Sequence, residues 1–209
     1  MPRKAALDVI AVTGVCAAER RGYAIRLAKE RGFIFVPAEQ AGQGVEAVDR
    51  LIGLVRSAFN PPGMLLEYPA EVTAAEIVGA LTTSGARLLE MVCVLDVGHL
   101  LEDLDSDLLI SRSDSVDSDG VERPRRSEVL VSQIELSSTV VLVNSGSLSP
   151  GEGERMTALV SHLAPNAHLF RSENPGAVQQ RESRGCSAGG PSAPRPGTTE
   201  RGLGGAPQR

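Results

Sequence analysis

Tryptophan is absent, and aromatic residues make up only 3% of the 209-residue chain. A core must therefore be aliphatic, built from Val, Leu, Ile and Ala. Cysteine is scarce: Cys16, Cys93 and Cys186 share no metal-ligand spacing, and three thiols cannot make a complete disulfide set. No apolar run approaches the roughly 18–20 residues of a membrane span, and the N-terminal stretch 7–16 is interrupted by Asp8 and Gly14. Positive charge is in deficit, with 21 Lys and Arg against 26 Asp and Glu, a net of −5 (21 − 26). That argues against a nucleic-acid surface, because neutralising phosphates takes clustered excess cations. These absences predict a cytoplasmic protein with neither nucleic acid nor membrane as partner.

What is present is patterned. Short apolar runs at 7–12, 33–36, 64–68, 88–97, 139–143 and 167–170 read as strands, and amphipathic segments between them read as helices. Val45, Val48, Ile52, Val55 and Phe59 keep helical spacing. Thr73 and Glu76 form a capping box, with Val72 and Ile77 at the hydrophobic-staple positions. Ser127 opens a helix carrying Leu130 and Ile134. Ser149 as cap, Pro150 at the first helical position and Glu152 start the last helix. Strand and helix alternate over units of about 30 residues, which indicates an α/β domain with a mostly parallel central sheet and helices on both faces. The domain is expected over residues 5–172. From 173 to 209 there are eight Gly and five Pro and almost no large apolar residue, so this tail is expected to be disordered.

In a parallel α/β sheet, ligands bind at the carboxyl ends of the strands. The first such place is 14–21, which begins with Gly14 and ends Glu19-Arg20-Arg21. A phosphate loop reads G-x-x-x-x-G-K-[ST]: its glycines let backbone amides wrap phosphates, its Lys reaches the terminal ones, and its hydroxyl binds Mg²⁺. Gly14 occupies the first place, but Glu19, Arg20 and Arg21 stand where Gly, Lys and Ser/Thr belong. Further along, Leu66-Glu67-Tyr68-Pro69-Ala70 follows a strand, Val94-Leu95-Asp96-Val97-Gly98-His99-Leu100 ends another, and Gln133-Ile134-Glu135-Leu136 precedes Val140-Val141-Leu142-Val143-Asn144. In this order, through Leu163-Ala164-Pro165-Asn166-Ala167-His168, the chain resembles the nucleotide-binding domain of CobW-type P-loop GTPases, the metal-chaperone relatives of HypB and UreG. The resemblance spans about residues 7–172. It implies a P-loop NTPase-like fold, a role in metal or cofactor homeostasis, GTP with Mg²⁺ and zinc or cobalt as cofactors where the family activity is kept, and a metalloprotein client as partner. It also implies a degenerate nucleotide site at Gly14, Arg20, Arg21, Glu67, Asn144 and Ser147.

The departures from the family pattern fall on its working parts. Guanine is read by N-K-x-D, whose carboxylate accepts two hydrogen bonds from the base; here the four residues are Asn144-Ser145-Gly146-Ser147, and Ser147 cannot form that charged pair. The family's Cys-rich metal motif would fall between about 40 and 60, where there is no Cys. The glycine that approaches the terminal phosphate is Ala70. Phosphate loop, base reader and metal motif are altered together, which favours a pseudo-GTPase with a binding role and no catalytic residue. A functional GTP-dependent metal chaperone and a truncated copy without its own role stand as alternatives.

The remaining residues carry plainer readings. His99 follows a strand end and reads as a satisfied or exposed histidine rather than a ligand; His162 and His168 read as surface residues. Asp96 is a strand-end carboxylate that either anchors a loop or faces a ligand. Asp103, Asp105, Asp107, Asp114, Asp117 and Asp119 lack the Gly and terminal Glu of a calcium loop and read as a solvated stretch. Cys16, beside a helix N-terminus, is a candidate reactive thiol.

Overall fold

Six short apolar segments pair into one all-parallel sheet in the order β2-β3-β1-β4-β5-β6. The strands are β1 (Asp8–Thr13), β2 (Ile34–Val36), β3 (Met64–Glu67), β4 (Arg87–Asp96), β5 (Thr139–Val143) and β6 (His168–Ser172). The helices are α1 (Ala17–Arg31), α2 (Ala38–Ala41), α3 (Val45–Ala58), α4 (Ala74–Thr83), α5 (Leu100–Leu104), α6 (Arg126–Glu135) and α7 (Pro150–Leu163). This computed structural model describes residues 6–41, 45–59, 61–110 and 124–172. The expected tail, 173–209, and Asp114, Asp117 and Asp119 lie outside the described residues.

The buried strands are apolar on both faces, as a sheet covered by helices requires. Val9, Ala11, Met64, Leu66 and Met91 pack with Ile52 of α3 and Ile77 of α4. Cys93, Leu95, Val140 and Leu142, on the same side by alternation, pack with Leu130 and Ile134 of α6 and Val160 of α7. The opposite face carries Ile10, Val12, Leu65, Val92 and Val94 against Ala24 and Leu27 of α1. Helices on both faces of a parallel sheet are thus observed, with an aliphatic core.

The helix starts follow the capping chemistry. Thr73 accepts from the Glu76 amide while Glu76 accepts from the Thr73 amide, and Val72 and Ile77 join one apolar cluster. Ser149 and Glu152 repeat the arrangement at α7. The expected start of α6 at Ser127 is corrected: Arg125 is its N-cap, and Glu128 accepts the Arg125 amide at 2.9 Å. Ser127 instead donates its hydroxyl to the Ser106 carbonyl. The short helices α2 and α5 carry no periodic pattern long enough to be read from sequence. No helix among the described residues is long and apolar enough to cross a membrane.

Sheet order places β1 between β3 and β4, with chain continuing to opposite sides of it. This is the switch point at which parallel sheets open a crevice at their carboxyl edge. Leu66→Ala, at a fully buried position of β3, is expected to cost about 2–5 kcal/mol, and Ser149→Ala about 1 kcal/mol. Urea unfolding of the two variants checks this; equal costs would mean the α7 cap carries far more than a cap should.

Candidate functional site

The carboxyl edge gathers Gly14 after β1, Glu67 at the end of β3, Asp96 at the end of β4 and Asn144 after β5. Only Gly14, Val15 and Cys16 connect β1 to α1. This corrects the expected phosphate-loop register. Glu19, Arg20 and Arg21 do not close a loop; they lie in the first two turns of α1. Ala17-Ala18-Glu19-Arg20 are good helix formers, and no second glycine keeps the chain open as a wrap. Cys16 is the N-cap, extended in backbone, and its carbonyl accepts the Arg20 amide at 3.0 Å. Gly14 has φ +136°, and a Cβ there would run into the Val94 carbonyl of β4. Loop and sheet are in backbone contact at this point.

The two arginines turn inward onto one carboxylate. Arg20 is 4% exposed and Glu67 fully buried. Arg20 Nε lies 3.1 Å from Glu67 Oε1, and its Nη1 donates to the Gly14 carbonyl at 2.5 Å. Arg21 Nε donates to Glu67 Oε2 at 3.0 Å, and its Nη2 reaches both oxygens of Glu39 on α2 at 2.6 and 2.7 Å. The Ala38 amide adds a bond to Glu67 Oε2 at 3.3 Å. Two guanidinium groups meet two carboxylates, so the network is neutral. A buried carboxylate of this kind persists only because it is both ion-paired and fully hydrogen-bonded. Donating to Glu39, then to Glu67, raises the Arg21 pKa further, and Arg21 holds the Glu39 carboxyl below its usual range.

A second group centres on Asp96, which is 7% exposed. The Gly98 amide donates to Oδ1 at 2.9 Å, Asn144 Nδ2 donates to Oδ2 at 2.9 Å, and His99 Nδ1 lies 3.1 Å from Oδ2. Asn144 takes a left-handed backbone at φ 60°. Its amide therefore anchors Asp96. Ser147 follows in a single 3-10 turn, Ser145–Ser147, and its side chain lies outside the described residues. Asp103 departs from the expected solvated stretch: it is 8% exposed and bonded to Arg126 Nε at 2.9 Å, while Cys16 Sγ donates to its Oδ2 at 3.7 Å. His162 and His168 are exposed.

The structure thus brings Gly14, Arg20, Arg21 and Glu67 into one network and places Asn144 in another. Glu39, Asp103 and Arg126 carry no motif, and only the fold reveals their part. Cys93 is buried on β4; desolvation pushes its thiol up to about 12, against the opposing Arg20 charge, so it stays protonated at neutral pH.

No family model and no curated protein matches the chain. Its fold is similar to the crystal structure of the Zn(II)-bound YjiA GTPase from E. coli, with TM-score 0.56 and 12% identity over 80% of this chain and 57% of that one. The chain therefore spans a little over half the length of that structure. With the parallel sheet, its switch point and the strand–turn–helix at Gly14, the fold is α/β and P-loop NTPase-like. At 12% identity the likeness shows the fold alone.

Gly14→Ala is expected to cost about 3 kcal/mol or more, combining a disfavoured φ with a backbone clash. Thermal unfolding followed by circular dichroism checks it. An unchanged midpoint would mean the turn does not approach β4 as described.

Proposed function

We propose that the chain is a CobW-like pseudo-GTPase: a P-loop-type protein of metal or cofactor homeostasis that acts by binding rather than by hydrolysis. One observation carries this reading. Arg20 and Arg21, the cations nearest the phosphate-loop position, are committed to Glu67 and Glu39. A phosphate at the start of α1 would have to displace a buried carboxylate already saturated with donors.

Mg²⁺–GTP does not fit the residues present. The turn of three residues cannot supply the several amides that wrap a phosphate together. Arg21 offers no neutral oxygen to a metal ion, and Glu19 adds negative charge beside the helix start. Asn144 is engaged with Asp96, and the base-reading carboxylate is absent from the sequence. No step of GTP hydrolysis is therefore assigned to these residues. The metal-related part of the proposal draws on the sequence resemblance and on the likeness to a zinc-bound GTPase; a metalloprotein client is the partner that part implies.

Titration of the full chain with a fluorescent GTP analogue, with and without Mg²⁺, tests the proposal. Weak, salt-sensitive binding with little preference for guanine over adenine is expected. Micromolar, Mg²⁺-dependent binding would overturn it and favour a competent GTPase.

A further inference from the structure

We infer that Cys16, Glu19 and Asp96 form a binding site for a divalent cation of the zinc or cobalt type, at the mouth of the β1–α1 turn. The inference goes beyond the proposed function and holds whether or not any nucleotide binds. Sγ of Cys16 and one carboxylate oxygen each of Glu19 and Asp96 lie within 4.8 Å of one another. Tetrahedral zinc, with bonds of about 2.0–2.3 Å, needs its ligand atoms about 3.3–3.8 Å apart, so modest side-chain adjustment closes the set. Two elements supply the ligands: α1, through its N-cap and first turn, and the end of β4.

The charge around Asp96 suits a cation. Among the described residues three acids are buried: Glu67, Asp96 and Asp103. Glu67 has Arg20 and Asp103 has Arg126. The hydrogen-bond partners of Asp96 are the Gly98 amide, the Asn144 amide and His99, whose side chain is 44% exposed. It is the buried acid held by no arginine or lysine. Buried carboxylates are ordinarily paired or coordinate a metal, and Asp96 faces a thiol and a second carboxylate instead. A helix N-terminus by itself would draw an anion; here the sequence surrounds it with Glu19, Asp96 and Asp103.

The donor set decides the class of ion. A thiolate with two carboxylates suits zinc or cobalt(II), whereas Mg²⁺ and Ca²⁺ take six or more oxygens. Three protein ligands leave a fourth position for water or another group. On binding, the Cys16 S–H bond breaks and a sulfur–metal bond forms, and the proton leaves to solvent. The Gly98 and Asn144 amides hold Asp96 in place as outer-shell donors to a ligand.

Cobalt(II) titration of the full chain reads the site directly. In a Cys186→Ser background, which removes a thiol outside the described residues, one equivalent of Co²⁺ should give a sulfur-to-metal charge-transfer band in the near ultraviolet. Zinc should displace it. Cys16→Ser should abolish the band, and Glu19→Gln should weaken binding at least about tenfold. Asp96→Asn should do the same, while Cys93→Ser should leave the titration unchanged. Glu19 is half-exposed on a helix surface, so its variant keeps the fold and carries the test even where Asp96→Asn unfolds. No charge-transfer band, or a band and affinity undiminished by Cys16→Ser and Glu19→Gln, would overturn the assignment.

Discussion

The carboxylate of Glu67 is the constraint on which this edge of the molecule depends. It sits at the end of a central strand, out of reach of water, and ionised oxygens there need donors on every side. Arg20 and Arg21 of α1 and the Ala38 amide of α2 supply them. Arg20 also satisfies the Gly14 carbonyl. One buried charge therefore fixes where α1 starts, how the Gly14 turn closes and where α2 lies. In a nucleotide-binding P-loop the corresponding space is kept for phosphate. Here a side chain of the protein itself holds the cations.

Function follows from that commitment on two adjacent parts of one edge. Toward β3, positive charge is neutralised internally and offers little to an anion. Toward β4, Cys16, Glu19 and Asp96 bring sulfur and carboxylate oxygens together, and among the described residues Asp96 has no arginine or lysine partner. The cation site we propose would thus lie beside the internally paired arginines, on the same edge. The sheet makes this possible because β1 lies between β3 and β4, so one short turn borders both carboxylates.

The strands and most helices were legible because their signals are local. Thr139–Val143 is a run of β-branched and aliphatic residues bounded by Ser138 and Asn144, and Ser149-Pro150 with Glu152 is a complete helix start. The order of motifs from Gly14 to Asn144 was also legible, and with it the α/β fold. The phosphate-loop register was not, because motif matching counts residues from the first glycine, whereas the backbone turns helical as soon as Ala17 and Ala18 permit. The pairing of Arg20 with Glu67 joins positions 47 residues apart, and no periodicity reports it. Asp103 misled for the same reason. In an acidic, Ser-rich stretch it reads as solvated, but Arg126 and Cys16, each distant in sequence, draw it inside.

The most direct measurement of the central claim is a double-mutant cycle on Arg20 and Glu67, read by urea unfolding. Arg20→Met and Glu67→Leu each strand a buried charge and should cost about 3–5 kcal/mol alone. Combined, they replace the pair with apolar side chains of similar size and should recover at least about 2 kcal/mol of the summed loss. Costs that simply add would contradict the account, since two residues that do not interact cannot be what holds the β1–α1 turn closed.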